Sequence, residues 1–220
     1  MVKQFKLFLL DLYRTFLHPG EIVFMIVCDF LFLVPAYILC YVLPEYKGEI
    51  IALFFLAILL VNSMIGLPLF IKRDQERGWL FQLATVGVRP ENYYIIKIIC
   101  GFFQQLIPAG LYLLISFFLF SFPASWLLSC LGIMALSLVG LTVVNVITLA
   151  ITPSRDYILY VVLALPLLVP LFLAGYILFV GAAFSFRDYP WAWVHWLLSY
   201  DLIMLATAWY GTEFLWEEFL

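Results

Sequence analysis

Apolar residues run through this chain in long stretches, broken only briefly by polar ones. Six stretches reach crossing length, at residues 22–43, 50–71, 95–120, 127–151, 157–184 and 194–215. A helix needs about 20 apolar residues to span a bilayer. The stretches are apolar on every face, whereas a membrane barrel alternates over segments of about 10 residues. The breaks "PEYKGE", "SFPAS", "TPSRD" and "SFRDYP" are short and rich in turn residues. The pattern predicts an all-α polytopic membrane protein with six transmembrane helices, forming one transmembrane domain over residues 1–220.

Ahead of the first stretch, residues 2–17 carry a different pattern. Lys3, Gln4, Asp11, Arg14 and His18 recur near helical spacing, and Phe5, Leu7, Phe8, Leu9, Leu12 and Phe16 fill the remainder. This predicts an interfacial amphipathic helix lying on the membrane. His18-Pro19-Gly20 then turns the chain into the first span. Asp11 and Arg14 interrupt the apolar run, and no small-residue cleavage site follows, so the pattern is not that of a cleavable signal peptide.

Composition agrees with the pattern. Hydrophobic residues make up 66% of the chain, and charged residues 11%. A soluble domain holds about 45–50% apolar and about 25% charged residues. The mean hydropathy of +1.11 points to lipid as the solvent for most side chains. Nine of the Lys and Arg residues fall on one side of the six-span pattern, against Lys47 and Arg187 on the other. Lys and Arg concentrate on the cytoplasmic side of membrane proteins. Both termini, the 72–94 segment and the Arg155 loop are therefore expected in the cytoplasm. Cys28, Cys40, Cys100 and Cys130 all lie in apolar runs without a CxxC pair, which reads as small buried hydrophobes.

Charge concentrates at one place, with Lys72, Arg73, Asp74, Glu76 and Arg77 falling within six positions. Residues 72–92 form the only cytoplasmic loop long enough to present structure. Past Gly78, a candidate helix break, Trp79, Leu80, Leu83 and Val86 recur at helical steps. A pure topology anchor needs only basic residues. Alternating acids and bases followed by an amphipathic helix fit a docking surface for a cytoplasmic partner.

Inside the spans, Asp29 and Asp201 stand out. A carboxylate at mid-membrane costs about 2.5–3.5 kcal/mol on insertion scales, so such groups face a bundle interior or water. They line a pathway or make a mechanical contact, or else serve as protonated or hydrogen-bonded structural groups. Asn62, Ser63, Gln104, Gln105, Asn145 and Thr148 offer bonds between helices. Pro166 and Pro170 lie on one face of the fifth span and predict a kink that frees carbonyls. Trp191, Trp193, His195 and Trp196 read as an interfacial aromatic belt rather than a heme site. The chain contains no nucleophile–base or HExxH constellation and no GxxxxGK, so intramembrane catalysis and P-loop ATP binding are not expected.

"KRDQERGWLFQL" together with Lys97 resembles the cytoplasmic loop of the heme exporter protein B family (CcmB). Asp74, Gly78, Leu80, Gln82, Leu83 and Lys97 fit that pattern, while Phe81 stands where the family carries an acid. "LALPLLVPLFLAG", with Pro166 and Pro170, is the second match, and the resemblance covers roughly residues 5–211. It implies an ABC-2-type permease subunit of the cytochrome c maturation complex in the bacterial inner membrane, and not a catalytic chain. Hydrolysis of ATP would belong to a separate ABC ATPase (CcmA) docked on residues 72–92, at Arg73, Asp74, Arg77, Gly78, Leu80, Gln82 and Leu83. The other implied partners are CcmC, CcmD and the heme chaperone CcmE. Heme would be a transported or handled ligand, with no cofactor bound directly. The work done would be heme export or release of the loaded chaperone. A permease of this type for lipid or polysaccharide is the alternative.

Overall fold

The computed structural model describes residues 19–76, 85, 89–152, 157–182 and 191–217. The expected interfacial helix at 2–17 lies outside the described residues. Among the described residues, six long helices follow in order: α1 (Pro19–Val42), α2 (Lys47–Glu76), α3 (Pro90–Phe120), α4 (Ala124–Ile151), α5 (Tyr157–Gly181) and α6 (Trp191–Glu217). A single 3-10 turn at Pro44–Tyr46 joins α1 to α2. No strand occurs among the described residues.

Proline sets several boundaries. Pro90 opens α3 behind an extended Arg89, and Pro123 precedes α4 in extended conformation. At these positions the missing N–H costs nothing, because the first helical donors have no partner within the helix. Ser121 ends α3 in the left-handed region at φ 53°. Its own N–H and that of Phe122 both return to the Phe117 carbonyl, which satisfies the end of the helix.

Two boundaries depart from the sequence pattern. α2 stays helical through Glu76, so Lys72 to Glu76 are helix rather than loop. Lys, Arg, Gln and Glu are all good helix formers, and a helix does not stop where its apolar stretch stops. α3 begins at Pro90, several residues before the apolar run.

Five helices, α1 to α5, are long and apolar enough to cross a membrane. α6 has the length, at 27 residues, but not the apolarity. His195, Asp201 and its Ser, Thr, Tyr and Trp residues lower it.

α4 is the central element and packs against α2, α3, α5 and α6. Its small and branched residues Ser137, Gly140, Thr142, Val143 and Val144 are all buried and let neighbours approach closely. α1 is peripheral and packs mainly on α2 and α3. Its outer face, with Val23, Val27, Leu31, Val34 and Ile38, is exposed, as suits a surface solvated by lipid. α1 and α3 run parallel and in step: Gln104 reaches Glu21 near one end, and Tyr37 meets Phe120 near the other.

Candidate functional site

Arg73 and Asp74 lie on the last turns of α2, beyond its apolar stretch. Arg77, Gly78, Leu80, Gln82 and Leu83 lie outside the described residues, as does the break expected at Gly78. Lys97, the downstream basic position of the same motif, is not on a surface. It is 0% exposed within α3, with Nζ 5.1 Å from the centre of the Tyr93 ring. Tyr93 lies one turn before it on the same helix, a spacing that favours side-chain contact.

Asp29 stands ten residues into α1, about 15 Å along the axis by helical rise. It is 5% exposed. Asn62 of α2 donates its amide to Asp29 Oδ1 at 2.8 Å. Tyr112 of α3 lines the same small cavity as Asp29. Asp29 thus sits where three helices meet. Asn62 was legible only as a polar group in an apolar run, and nothing in the sequence pattern singled out Tyr112.

Asp201 occupies a second three-helix junction, among α4, α5 and α6. It is 4% exposed, and neither carboxylate oxygen has a hydrogen-bond partner among the described residues. Its room comes from Gly140. A Cβ at position 140 would overlap Asp201 Oδ1 and Leu171 Cδ1, and would stand 3.2 Å from Asp201 Cγ. The next residue back, Tyr200, donates its hydroxyl to the Leu167 carbonyl. Leu167 lies between Pro166 and Pro170, both inside α5. Proline in a helix interior disturbs the local bonding ladder, and here α6 supplies a donor to that turn. The two carboxylates are not brought together, as each has its own set of helices.

The remaining interior polar groups divide. Asn145 accepts from Tyr160 across α4 and α5 at 2.8 Å, and Gln104 donates to Glu21 at 3.3 Å. Ser63 and Thr148 instead bond carbonyls of their own helices. Gln105 is buried with neither amide atom partnered among the described residues. His195 is exposed, beside a Trp196–Tyr200 stack at 5.6 Å. None of the four cysteines is in a disulfide; Cys40, Cys100 and Cys130 are buried and Cys28 is half-buried. Among the described residues no group of three His, Cys, Asp or Glu side chains is placed to hold a metal ion.

Long apolar helices packed around an apolar core with a few buried polar groups define a multi-pass helical membrane protein. A family model described as CcmB protein matches residues 6–213, and the chain belongs to the CcmB family. This family is the heme exporter permease component of cytochrome c maturation, and membership implies a complex that includes an ATPase partner. No curated protein and no solved structure matches the chain.

Proposed function

We propose that this chain converts ATP hydrolysis by a docked CcmA subunit into movement of the membrane helices. The family match over residues 6–213 carries this reading. Leu80 and Leu83 form the apolar centre of the docking element, because buried apolar anchors dominate interface energy. Arg73, Asp74, Arg77, Gly78 and Gln82 are assigned to the same element by the family motif. The lever is α2, an unbroken helix of 30 residues, about 45 Å long. One end abuts the docking segment, and further along Asn62 grips Asp29. A displacement at residues 72–76 would reach Asn62 and Asp29 along α2, past Gly66 and Pro68. Asp29 and Asp201 serve as mechanical contacts in this reading. Heme is the cargo, either exported or released on its chaperone CcmE, and CcmC and CcmD complete the assembly. The complex resides in the bacterial inner membrane with both termini in the cytoplasm.

Leu80→Asp and Leu83→Asp test the docking element. Each variant should insert at normal abundance, lose copurification with the ATPase by more than tenfold, and abolish cytochrome c maturation. Full ATPase recovery with both variants would overturn the docking reading.

A further inference from the structure

We propose that the cleft between α2 and α5 binds one acyl chain of a membrane phospholipid. The cleft holds about 410 Å³, lined by residues of α2 between Leu53 and Leu60 and of α5 between Val169 and Tyr176. Leu53, Val169 and Leu173 stand at its mouth and are more than half exposed, while Leu56 is buried at its floor. Every lining side chain is a hydrocarbon except that of Tyr176. Toward the core the two helices close on each other. The Phe55 and Phe179 rings meet edge to face at 4.6 Å, and a Cβ on Gly175 would stand 3.2 Å from Leu56 Cδ2. Toward the membrane, Ala57 puts only a methyl group into the gap. An apolar cavity of about 150 Å³ already stays dry and takes up a small hydrocarbon, and unfilled walls forfeit their dispersion contacts.

Length and depth choose the occupant. α5 runs opposite to α2, since Phe55 meets Phe179 and Leu56 meets Gly175. On either helix the two ends of the cleft are about 10 Å apart by helical rise. Ile50 starts the apolar stretch of α2, and the cleft lies about 5–15 Å beyond it along the axis. That depth is one leaflet of a hydrocarbon core about 30 Å thick. A further spanning helix needs a seam through both leaflets, but among the described residues the walls end at Leu60 and Val169. A flexible tail needs only the one leaflet. Tyr176 lies with Leu53 at the end nearer the Lys47 turn, which places the one lining hydroxyl toward the headgroup of such a lipid. Lipid tails are as apolar as leucine, so the tail is held by fit and van der Waals contact. On the lever reading above, α2 then moves against this lipid; lipid binding is read out separately from maturation, so either reading can fail alone.

The test is photolabelling of the full-length chain in bilayers containing phosphatidylcholine with a diazirine midway along one acyl chain, with adducts located by mass spectrometry. Adducts should concentrate on residues 53–60 and 169–176. They should stand severalfold above those on Val27, Leu31 and Val34, the exposed face of α1 that samples bulk lipid. Ala57→Phe should fill the cleft and bring its adducts down to the α1 level, with labelling of α1 unchanged. Leu173→Trp, at an exposed position clear of the core, should lower them by covering the mouth. Cleft labelling no higher than that of α1 in the native chain would mean bulk lipid only and overturn the site. Cleft adducts that neither variant lowers would overturn it too. In a chain with the four native cysteines changed to alanine, a disulfide-linked dimer of Leu173→Cys would mean that a second copy fills the cleft, and the lipid site would fall.

Discussion

At the scale of single residues, glycine and aspartate are linked. Gly140 is required because the Asp201 carboxylate and Leu171 occupy the space a methyl group would take. Forcing extra volume into a packed core costs about 1–3 kcal/mol. Gly140→Ala should therefore lower thermal stability in detergent by an amount in that range. Asp201→Ala removes the carboxylate and leaves Leu171, so the double variant should be less destabilised than the two single changes added together. Contacting residues deviate from additivity by about 0.5–3 kcal/mol. Strict additivity in the melting curves would mean that Asp201 does not fill the Gly140 niche. Nothing in the sequence joined these residues: they lie on α4 and α6, and a glycine in an apolar run looks like any other. Lys97 gives the converse lesson. Its motif grouped it with the cytoplasmic loop, but it falls within the 95–120 stretch, and in α3 its side chain is buried beside Tyr93.

At the scale of elements, the apolar runs fix where helices form but not which faces meet. A run apolar all round carries no directional signal, so the central position of α4 was not legible in the sequence. Polar residues hold that information, and only in pairs: Asp29 with Asn62, Asn145 with Tyr160, Glu21 with Gln104. The double proline of α5 was legible in the sequence, and Tyr200, which bonds the Leu167 carbonyl between the two prolines, was not. The bond from Tyr200 to the Leu167 carbonyl ties α6 to that turn. Interhelical hydrogen bonds in membranes average about 0.6 kcal/mol. Tyr200→Phe should thus cost about that much in stability. Hydrogen exchange should quicken for amides around Leu167 to Leu171 and stay unchanged in α1. An unaltered exchange pattern in α5 would show that the bond does not hold the turn.

For the whole molecule, α6 decides the topology. Five crossings would leave the two termini on opposite sides, and six would put them together. By composition α6 falls short, yet its polar and apolar residues are sorted by direction. Asp201 is turned inward against α4, while Leu202, Ile203, Trp209 and Tyr210 are exposed on the outside. A helix whose ionisable group faces the bundle does not present its charge to lipid, so its insertion cost falls below what composition suggests. Packing against α3, α4 and α5 also requires α6 to lie alongside spans rather than on the surface. One end of the bundle is fixed independently: Lys47 Nζ donates to the Phe120 carbonyl, which joins the α1–α2 turn to the α3–α4 turn. Arg89, at the start of α3, marks the opposite end. In a chain with the four native cysteines changed to alanine, Tyr46→Cys should react with an impermeant thiol reagent from the periplasmic side. Arg89→Cys should react only after the membrane is opened, as should a cysteine appended after Leu220. Tyr46 and Arg89 are both exposed, so neither change disturbs the core. Labelling of the appended cysteine from the same side as Tyr46→Cys would leave α1 to α5 crossing and take α6 out of the membrane, and with it the buried environment of Asp201.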